Sequence, residues 1–348
     1  MPRDWYINED EADDFQIQLL NTRIDTNVVV KGCAGSGKTI IALWRAKKIA
    51  ESGLGSYYFI VFTKALREFI KDGVQELELD PKRILYVWEW DKKQNAPSAD
   101  FIIVDEIQDF NERDIRKFKN KANKAFMFWG DTDQGLYAGL GDGRDLSMEQ
   151  ISTIVSQPTR ELAYNHRLPT EIAEYAQYIS KDDTLKARCR REGGFKPRVY
   201  HYDSFEKQLD RIIELIDERD LEDIGILFPK NVDVKMAYEY FINKGMDCEA
   251  KFTQGGKKSF MDLDFDNYNP KLMTFHSAKG LQFESVFIPN CNDIDDRDDM
   301  WRNPLFVAFT RAYKNLFILY SGSLPSYFDD IPSHLYESNT EIEDTVLF

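Results

Sequence analysis

The chain has 348 residues, of which 43% are hydrophobic and 14% aromatic, so it is long enough to bury two ordinary cores. Its formal net charge of -15 excludes a protein that coats nucleic acid by general electrostatic attraction, and any nucleic-acid contact must be local. The apolar stretches are strand-sized and charged residues lie near Met1, so we expect a cytoplasmic protein without membrane contact. Four scattered cysteines predict free thiols and no zinc site.

Short β-rich runs alternate with helical patterns through the first half of the chain. The predicted strands are 28–31, 57–62, 101–104 and 125–129, and the predicted helices are 39–52, 64–71, 112–123 and 148–156. This alternation is typical of a parallel sheet covered by helices on both faces. Pro158 marks a boundary, so we predict a first domain at 1–158.

The second half repeats the alternation. The predicted helices are 171–179, 204–219, 232–243 and 304–312, and the predicted strands are 224–228, 272–275, 286–289 and 316–320. We therefore predict a second α/β domain at 159–348, again with a mostly parallel sheet flanked by helices.

A glycine-rich segment directly follows the apolar run 28–30 and fits the phosphate-binding pattern G-x-x-x-x-G-K-[ST]. The segment is Gly32-Cys33-Ala34-Gly35-Ser36-Gly37-Lys38-Thr39. Its glycines allow backbone N–H groups to surround an anion, and the helix that follows adds its positive N-terminal end. Lys38 would reach the outer phosphates of a nucleotide, and the Thr39 hydroxyl would hold Mg²⁺. The alternative is a tight glycine turn that binds nothing.

Two carboxylates, Asp105 and Glu106, follow the strand predicted at 101–104. Beside a phosphate loop, the first can hold Mg²⁺ and the second can orient and deprotonate an attacking water. An acidic strand end alone would be weak evidence, because turn-forming Asp is common there. With the phosphate loop, the pair predicts hydrolysis of a nucleoside triphosphate.

Five further segments complete an ordered set of motifs. They are Phe62-Thr63-Lys64-Ala65, Gly130-Asp131-Thr132-Asp133-Gln134, Asn165-His166-Arg167, the run 274–283 (TFHSAKGLQF) and Val307-Ala308-Phe309-Thr310-Arg311-Ala312. With them the chain resembles superfamily 1 helicases of the UvrD/Rep/PcrA type through both halves. The resemblance implies two RecA-like P-loop NTPase domains that use ATP and Mg²⁺.

On the phosphate side, the resemblance implies that Gln134 senses the γ-phosphate and that Arg167 points at it. Arg311 is similar to an arginine finger supplied by the second domain, a device that accelerates phosphoryl transfer about 10³–10⁵-fold. Both arginines could instead be interdomain salt-bridge partners.

On the base side, the resemblance implies that Gln16 reads adenine, with Gln18 as a rival. His166 occupies the place of an aromatic ring that stacks on adenine, where the family usually has tyrosine. Gln282 replaces a usual glutamate and is expected at the nucleotide.

On the nucleic-acid side, the resemblance assigns Phe62, Thr63, Tyr137, Thr274 and His276 to single-stranded DNA. Phe62 would stack on a base and Thr63 would contact a phosphate. The histidines and Phe62 could instead be packing residues.

The chain departs from the family in two respects. The runs 71–100 and 229–271 are too short for two large insertions, and Tyr137 is followed by Ala138-Gly139-Leu140 where the family has an arginine and a base-stacking tryptophan. The first functional hypothesis is an ATP-dependent single-stranded DNA translocase or minimal 3′-to-5′ helicase. The second is a helicase-like ATPase switch or accessory subunit with a partner such as a nuclease, for example in phage defence. A P-loop kinase is a third, disfavoured by the two distant arginine motifs.

Overall fold

The computed structural model describes residues 5, 12–131, 146–253, 263–297 and 299–339. The chain divides into two compact units, Met1–His166 and Arg167–Phe348. The sequence predicts the division after Pro158, whereas residues 159–166 belong to the first unit. They do so because Thr159–Leu162 forms a strand that pairs in parallel with Val28–Gly32.

The first unit contains a sheet of six described strands, all parallel. These are β1 Val28–Gly32, β2 Tyr57–Val61, β3 Ile84–Tyr86, β4 Ala99–Val104, β5 Ala122–Gly130 and β6 Thr159–Leu162. Their order across the sheet is β3-β2-β4-β5-β1-β6. Because the strands are parallel, their carboxyl ends lie along one edge, and the residues that follow β1, β4 and β5 are neighbours there.

The described helices of the first unit lie between these strands in the sequence, except α1, which precedes β1. They are α1 Asp14–Leu20, α2 Lys38–Ser52, α3 Lys64–Phe69, α4 Lys71–Glu76, α5 Val87–Lys92, α6 Glu112–Lys121 and α7 Met148–Val155. The buried Arg45 on α2 donates to the carbonyls of Leu19, Thr22 and Arg23, which ties the end of α1 to α2. This anchorage fixes α1 beside the loop that precedes α2.

The second unit contains a sheet of seven described strands, also parallel, with the order β11-β12-β10-β13-β14-β9-β15. The strands of this sheet are β9 Arg198–His201, β10 Ile224–Phe228, β11 Glu249–Lys251, β12 Lys271–Thr274, β13 Phe283–Ile288, β14 Ala312–Tyr320 and β15 Glu337–Ser338. A separate pair consists of β7 Asn165–Pro169 and β8 Cys189–Arg191. The described helices are α8 Thr170–Ser180, α9 Leu185–Arg188, α10 Phe205–Arg219, α11 Asn231–Asn243 and α12 Arg302–Phe309.

Each unit buries its own hydrophobic core against the sheet. In the first unit, side chains of β2, β4 and β5 pack with those of α6 and α7. In the second, α10 and α11 cover β10, β12, β13 and β14, where Phe287 and Phe317 stack with ring centroids 4.5 Å apart. The central strands are buried almost throughout, as expected for parallel sheets covered on both faces. The predicted α/β class with mostly parallel sheets is confirmed.

Several predicted element boundaries were wrong. The predicted helix 64–71 is two helices, α3 and α4, and the predicted helix 112–123 ends at Lys121 because β5 begins at Ala122. The predicted helix 304–312 spans Arg302–Phe309 instead, and Ala312 already belongs to β14. α6 and α12 each end sooner than the side-chain pattern indicates, because the strand that follows is already paired in its sheet. Within the described residues, the helices are too short or too polar to cross a bilayer.

Candidate nucleotide site and strand-end surfaces

The loop between β1 and α2 has the backbone expected of a phosphate loop. Gly35 and Gly37 have φ values of +71° and +81°, a left-handed conformation that glycine adopts without strain. A side chain at Gly32 would place its Cβ 2.5 Å from the Ser36 hydroxyl, so the loop closes only over glycine. The Ser36 hydroxyl is buried and has no hydrogen-bond partner among the residues that the structure describes. A buried donor without a partner is suited to an incoming acceptor such as a phosphate oxygen.

Lys38 lies at the start of α2 with its ammonium group inside the loop. Its Nζ donates to the carbonyls of Gly32 at 2.8 Å and Cys33 at 2.9 Å, and lies 3.7 Å from Asp131 Oδ2. Only 7% of the lysine side chain and 3% of the aspartate side chain are exposed. A buried cation held at the N-terminus of a helix has the charge and position to meet outer phosphate oxygens.

Thr39 and Asp105, the two residues predicted to hold Mg²⁺, are hydrogen-bonded to each other. The Thr39 hydroxyl donates to Asp105 Oδ2 at 2.6 Å, which joins the first turn of α2 to the end of β4. Burial raises the pKa of the Asp105 carboxyl, and the neighbouring Glu106 raises it further. Two hard oxygen donors fit Mg²⁺, which takes few protein ligands and completes its shell with phosphate and water oxygens. The donor set therefore suits magnesium.

Glu106 adopts a left-handed backbone, with φ +54° and ψ +45°, immediately after β4. Its Oε2 accepts a hydrogen bond of 2.5 Å from Nε2 of Gln108, and only 6% of Glu106 is exposed. Gln108 in turn accepts a bond of 3.0 Å from the backbone N–H of Asp131, which follows β5. The proposed general base is thus connected through Gln108 to the end of β5, where the quoted segment 130–134 begins.

A second set of contacts surrounds the outer side of the loop. Gln16 is buried on α1 and donates from Nε2 to the Ser36 carbonyl at 3.1 Å, while its Oε1 accepts from the backbone N–H of Asp13 at 3.2 Å. The rival Gln18 is exposed. The backbone N–H of His166 donates to the carbonyl of Gly35, and its ring Nε2 lies 2.7 Å from Asp13 Oδ2. Gln16, Asp13 and His166 therefore lie together beside the loop.

The carboxyl end of β2 is followed by Phe62 and Thr63, two of the predicted nucleic-acid residues, and the end of the adjacent β3 is followed by Trp88. Phe62 is partly buried and packs edge-on against Phe110, with ring centroids 5.1 Å apart. Thr63 caps α3 through its hydroxyl, which accepts from the backbone N–H of Leu66. Trp88 is 60% exposed on α5, directly after β3. Since Val61 is paired with Tyr86, Thr63 and Trp88 stand at equivalent positions beyond two adjacent strands.

The second unit brings Arg167, Gln282 and Arg311 together around Thr310. Arg167 donates to Gln282 Oε1 at 3.2 Å and to the Thr310 carbonyl at 3.0 Å. Arg311 is 1% exposed and donates to the carbonyls of Val307 and Leu281 and to the Thr310 hydroxyl. Motifs separated by more than a hundred residues thus meet in one unit.

Thr274 and His276 follow β12 in the second unit. Thr274 is buried, and its hydroxyl accepts a bond of 3.3 Å from the backbone N–H of Ser277. The His276 ring packs edge-on against Trp301 at 6.4 Å between ring centroids. Both residues have local structural contacts in addition to their predicted role. Gln134 and Tyr137, the remaining predictions, lie outside the described residues.

Comparisons with protein-family models match a segment of each unit. Residues 271–319 match a UvrD-like helicase C-terminal domain, and residues 16–140 match an AAA domain. The predicted resemblance to UvrD/Rep-like superfamily 1 helicases is confirmed. The first match spans β12 to β14 in the second unit, and the second begins at Gln16 and includes the phosphate loop and both strand-end carboxylates.

One curated relative of this UvrD-like chain is named "Putative ATP-dependent DNA helicase R568", from Acanthamoeba polyphaga mimivirus. It is 21% identical over 374 residues, which cover 87% of the chain and 52% of the relative. The chain thus spans about half the length of this relative. A solved structure, the C-terminal domain of a possible DNA helicase from Lactobacillus plantarum WCFS1, is 18% identical with a TM-score of 0.39. That likeness covers 50% of the chain and 98% of the solved domain.

The sequence reasoning missed four residues of these sites: Asp13, Trp88, Gln108 and Asp131. Asp131 lies inside the quoted segment 130–134 and Gln108 stands two residues after Glu106, so a search for polar side chains near the carboxylates could have included them. Asp13 stands three residues before Gln16, at the spacing of a capping box, which is a readable local signal. Trp88 gives no local signal, because exposure depends on the packing of α5.

Proposed function

We propose that this UvrD-like chain hydrolyses ATP with Mg²⁺ and uses the reaction to move along single-stranded DNA. The observation that supports the proposal most is the convergence at one sheet edge of the phosphate loop, the Thr39–Asp105 pair and the Glu106–Gln108 pair. A structural glycine turn would not need a buried lysine, a metal-type oxygen pair and a second carboxylate beside it.

The first unit would bind the triphosphate and prepare the attacking water. Lys38 would exchange its carbonyl partners for outer phosphate oxygens, and Thr39 with Asp105 would hold Mg²⁺, which neutralises phosphate charge when bound. Glu106 would accept a proton from the water as it attacks the γ-phosphorus. Gln16 and His166 would adjoin the adenine ring of ATP, with Asp13 holding the His166 ring.

The second unit would supply positive charge. Arg167 and Arg311 are held near each other by Thr310, so both guanidinium groups could act on the same γ-phosphate. Charge on the γ-oxygens in the transition state is the feature that arginine stabilises, by about 10³–10⁵ in rate.

Single-stranded DNA would follow the carboxyl ends of the sheets. Thr63 and Phe62 are predicted contacts in the first unit, and the exposed Trp88 beside them offers a ring on which a base can stack. Thr274 and His276 would contribute from the second unit. We propose that successive hydrolysis cycles alternate the two grips and move the chain with 3′-to-5′ polarity.

A second candidate is a helicase-like ATPase that acts as a switch or accessory subunit beside a nuclease, for example in phage defence. The net charge of -15 favours it, because general attraction to nucleic acid is absent. In this case a protein partner, and not DNA, would stimulate hydrolysis.

The deciding experiment measures ATP hydrolysis by the purified chain alone and with single-stranded DNA, RNA or duplex DNA. We expect single-stranded DNA to raise the rate several-fold, and Lys38→Ala to abolish both nucleotide binding and turnover. Lys47→Ala changes a lysine on the same helix outside the loop and should leave the rate unchanged. Hydrolysis without stimulation by any nucleic acid would favour the accessory subunit. Wild-type turnover in Lys38→Ala would refute the ATP site.

A further inference from the structure

Gln108 is a buried amide that neither the predicted motif roles nor the family comparisons assign to a function. Its side chain is 1% exposed and lies between the end of β4 and the end of β5. Nε2 donates to Glu106 Oε2 at 2.5 Å, and Oε1 accepts from the Asp131 N–H at 3.0 Å. Both ends of the amide are therefore engaged by residues of the candidate site.

The backbone of Asp131 determines which way this amide points. A peptide N–H can only donate, so the group that faces it must be the carbonyl oxygen of Gln108. The NH₂ group is then directed at Glu106, whose Oε2 accepts the bond. A flipped amide would set donor against donor at one end and acceptor against acceptor at the other. The hydrogen-bond pattern thus permits one orientation.

The surrounding backbone is adapted to this amide. A side chain at Gly130 would place its Cβ 2.5 Å from Gln108 Oε1, so only glycine leaves room for the bond to Asp131. Glu106 itself has the left-handed φ of +54° that is uncommon for a side chain of its size. Such strain persists where the surrounding contacts over-determine it, and it is frequent at functional sites. The missing side chain at Gly130 thus leaves room for the amide, and the residue that the amide contacts has an uncommon backbone conformation.

We propose that Gln108 is a positioning residue for the general base Glu106. By engaging Oε2 it fixes the plane of the carboxylate, and hence the direction in which the group would take a proton from the attacking water. The inference rests on the proposed ATP hydrolysis. It goes beyond that function by assigning the alignment of Glu106 to a residue that the motif roles leave unassigned.

The alternative is that Gln108 only holds β4 and β5 together. A structural role would lower stability and disturb nucleotide binding and turnover together. A positioning role would lower kcat and leave the affinity for nucleotide nearly unchanged, because the hydrogen bonds described for the Gln108 side chain go to Glu106 and Asp131 and not to the loop or Lys38.

The test compares Gln108→Met and Gln108→Glu with wild type. Methionine keeps the length of the side chain without its hydrogen bonds, and glutamate replaces the donor with an acceptor. General-base catalysis contributes about 10²–10⁴-fold, so misdirecting the base should lower kcat about 10–100-fold, more for glutamate than for methionine. The affinity for ADP and the KM for ATP should stay within about twofold. The matched control, Gln75→Glu at an exposed position on α4, should change neither.

A second measurement does not depend on turnover. Hydrogen exchange at the Asp131 amide should be slow in wild type and faster in Gln108→Met, because its acceptor is removed. If wild type is active and Gln108→Met has the same kcat, or if exchange at the Asp131 amide is the same in both proteins, this inference is overturned and the proposed function is not. A wild type that binds nucleotide but hydrolyses none overturns the proposed function and this inference with it.

Discussion

In the first unit the predicted metal and base residues bond to other side chains, whereas in the second unit the arginines bond mainly to main-chain carbonyls. Thr39 donates to Asp105 and Gln108 donates to Glu106, all at the carboxyl-end edge of one sheet. Arg311 instead donates to the carbonyls of Val307 and Leu281, and Arg167 to the carbonyl of Thr310.

This difference bears on how each set could meet a ligand. A pair of polar side chains can admit a metal or phosphate between them, since each side chain then exchanges its hydrogen bond for a contact with the ligand. An arginine that leaves a buried carbonyl leaves an acceptor unsatisfied, which costs about 1–3 kcal/mol. The Thr39–Asp105 and Glu106–Gln108 pairs therefore resemble a prepared site. The arginines of the second unit, like Lys38 with its two carbonyl partners, have a structural role that any catalytic role must accommodate.

The largest expected effect separates these two roles of Arg311. Arg311→Lys keeps the charge but loses the planar fork, so we expect kcat to fall about 10³-fold or more with a modest loss of stability. Single-turnover hydrolysis and thermal unfolding measure the two effects. Arg302→Lys is the control, because Arg302 also lies on α12 and donates to a carbonyl, that of Ile179. If Arg311→Lys loses stability but keeps the wild-type kcat, Arg311 has no catalytic role.

A smaller effect is expected for Trp88, the exposed ring after β3 that is proposed to stack on single-stranded DNA. Base stacking on an aromatic ring contributes about 1–3 kcal/mol, so Trp88→Ala should weaken single-stranded DNA binding about 5–150-fold. Basal ATP hydrolysis should not change. Tyr268→Ala removes a ring of similar exposure, 56%, from the second unit and serves as control. Equal binding by Trp88→Ala and wild type would remove α5 from the proposed path of the strand.

The smallest effect concerns protons at the metal pair. Burial and Glu106 raise the pKa of Asp105. A fraction of the molecules therefore carries a protonated Asp105 at a pH nearer neutrality than for an ordinary aspartate. Magnesium requires the ionised form, so apparent Mg²⁺ affinity should fall as pH is lowered, at most about tenfold per pH unit. Titrations of Mg²⁺ against hydrolysis between mildly acidic and mildly alkaline pH measure this. Asp105→Asn should bind Mg²⁺ weakly at every pH, and a flat wild-type profile would argue against Asp105 as a ligand.

The sequence by itself determined the α/β class, most central strands and the position of the glycine loop after β1. These are local properties: glycine allows the left-handed turns at 35 and 37, and unbroken apolar runs indicate strands buried on both faces. The strand-end carboxylates followed from the same reasoning, because a parallel sheet places its carboxyl ends along one edge.

Only the tertiary structure decided the long-range contacts. Asp13 and His166 meet across 153 positions of the chain, and Gln108 meets Asp131 because β4 and β5 are paired. The polar strand β6 joined the first sheet although its residues lack an apolar pattern, and that pairing moved the boundary beyond Pro158. The physical reason is common to these cases: a hydrogen bond between distant residues depends on which strands become neighbours, and no local pattern encodes that choice.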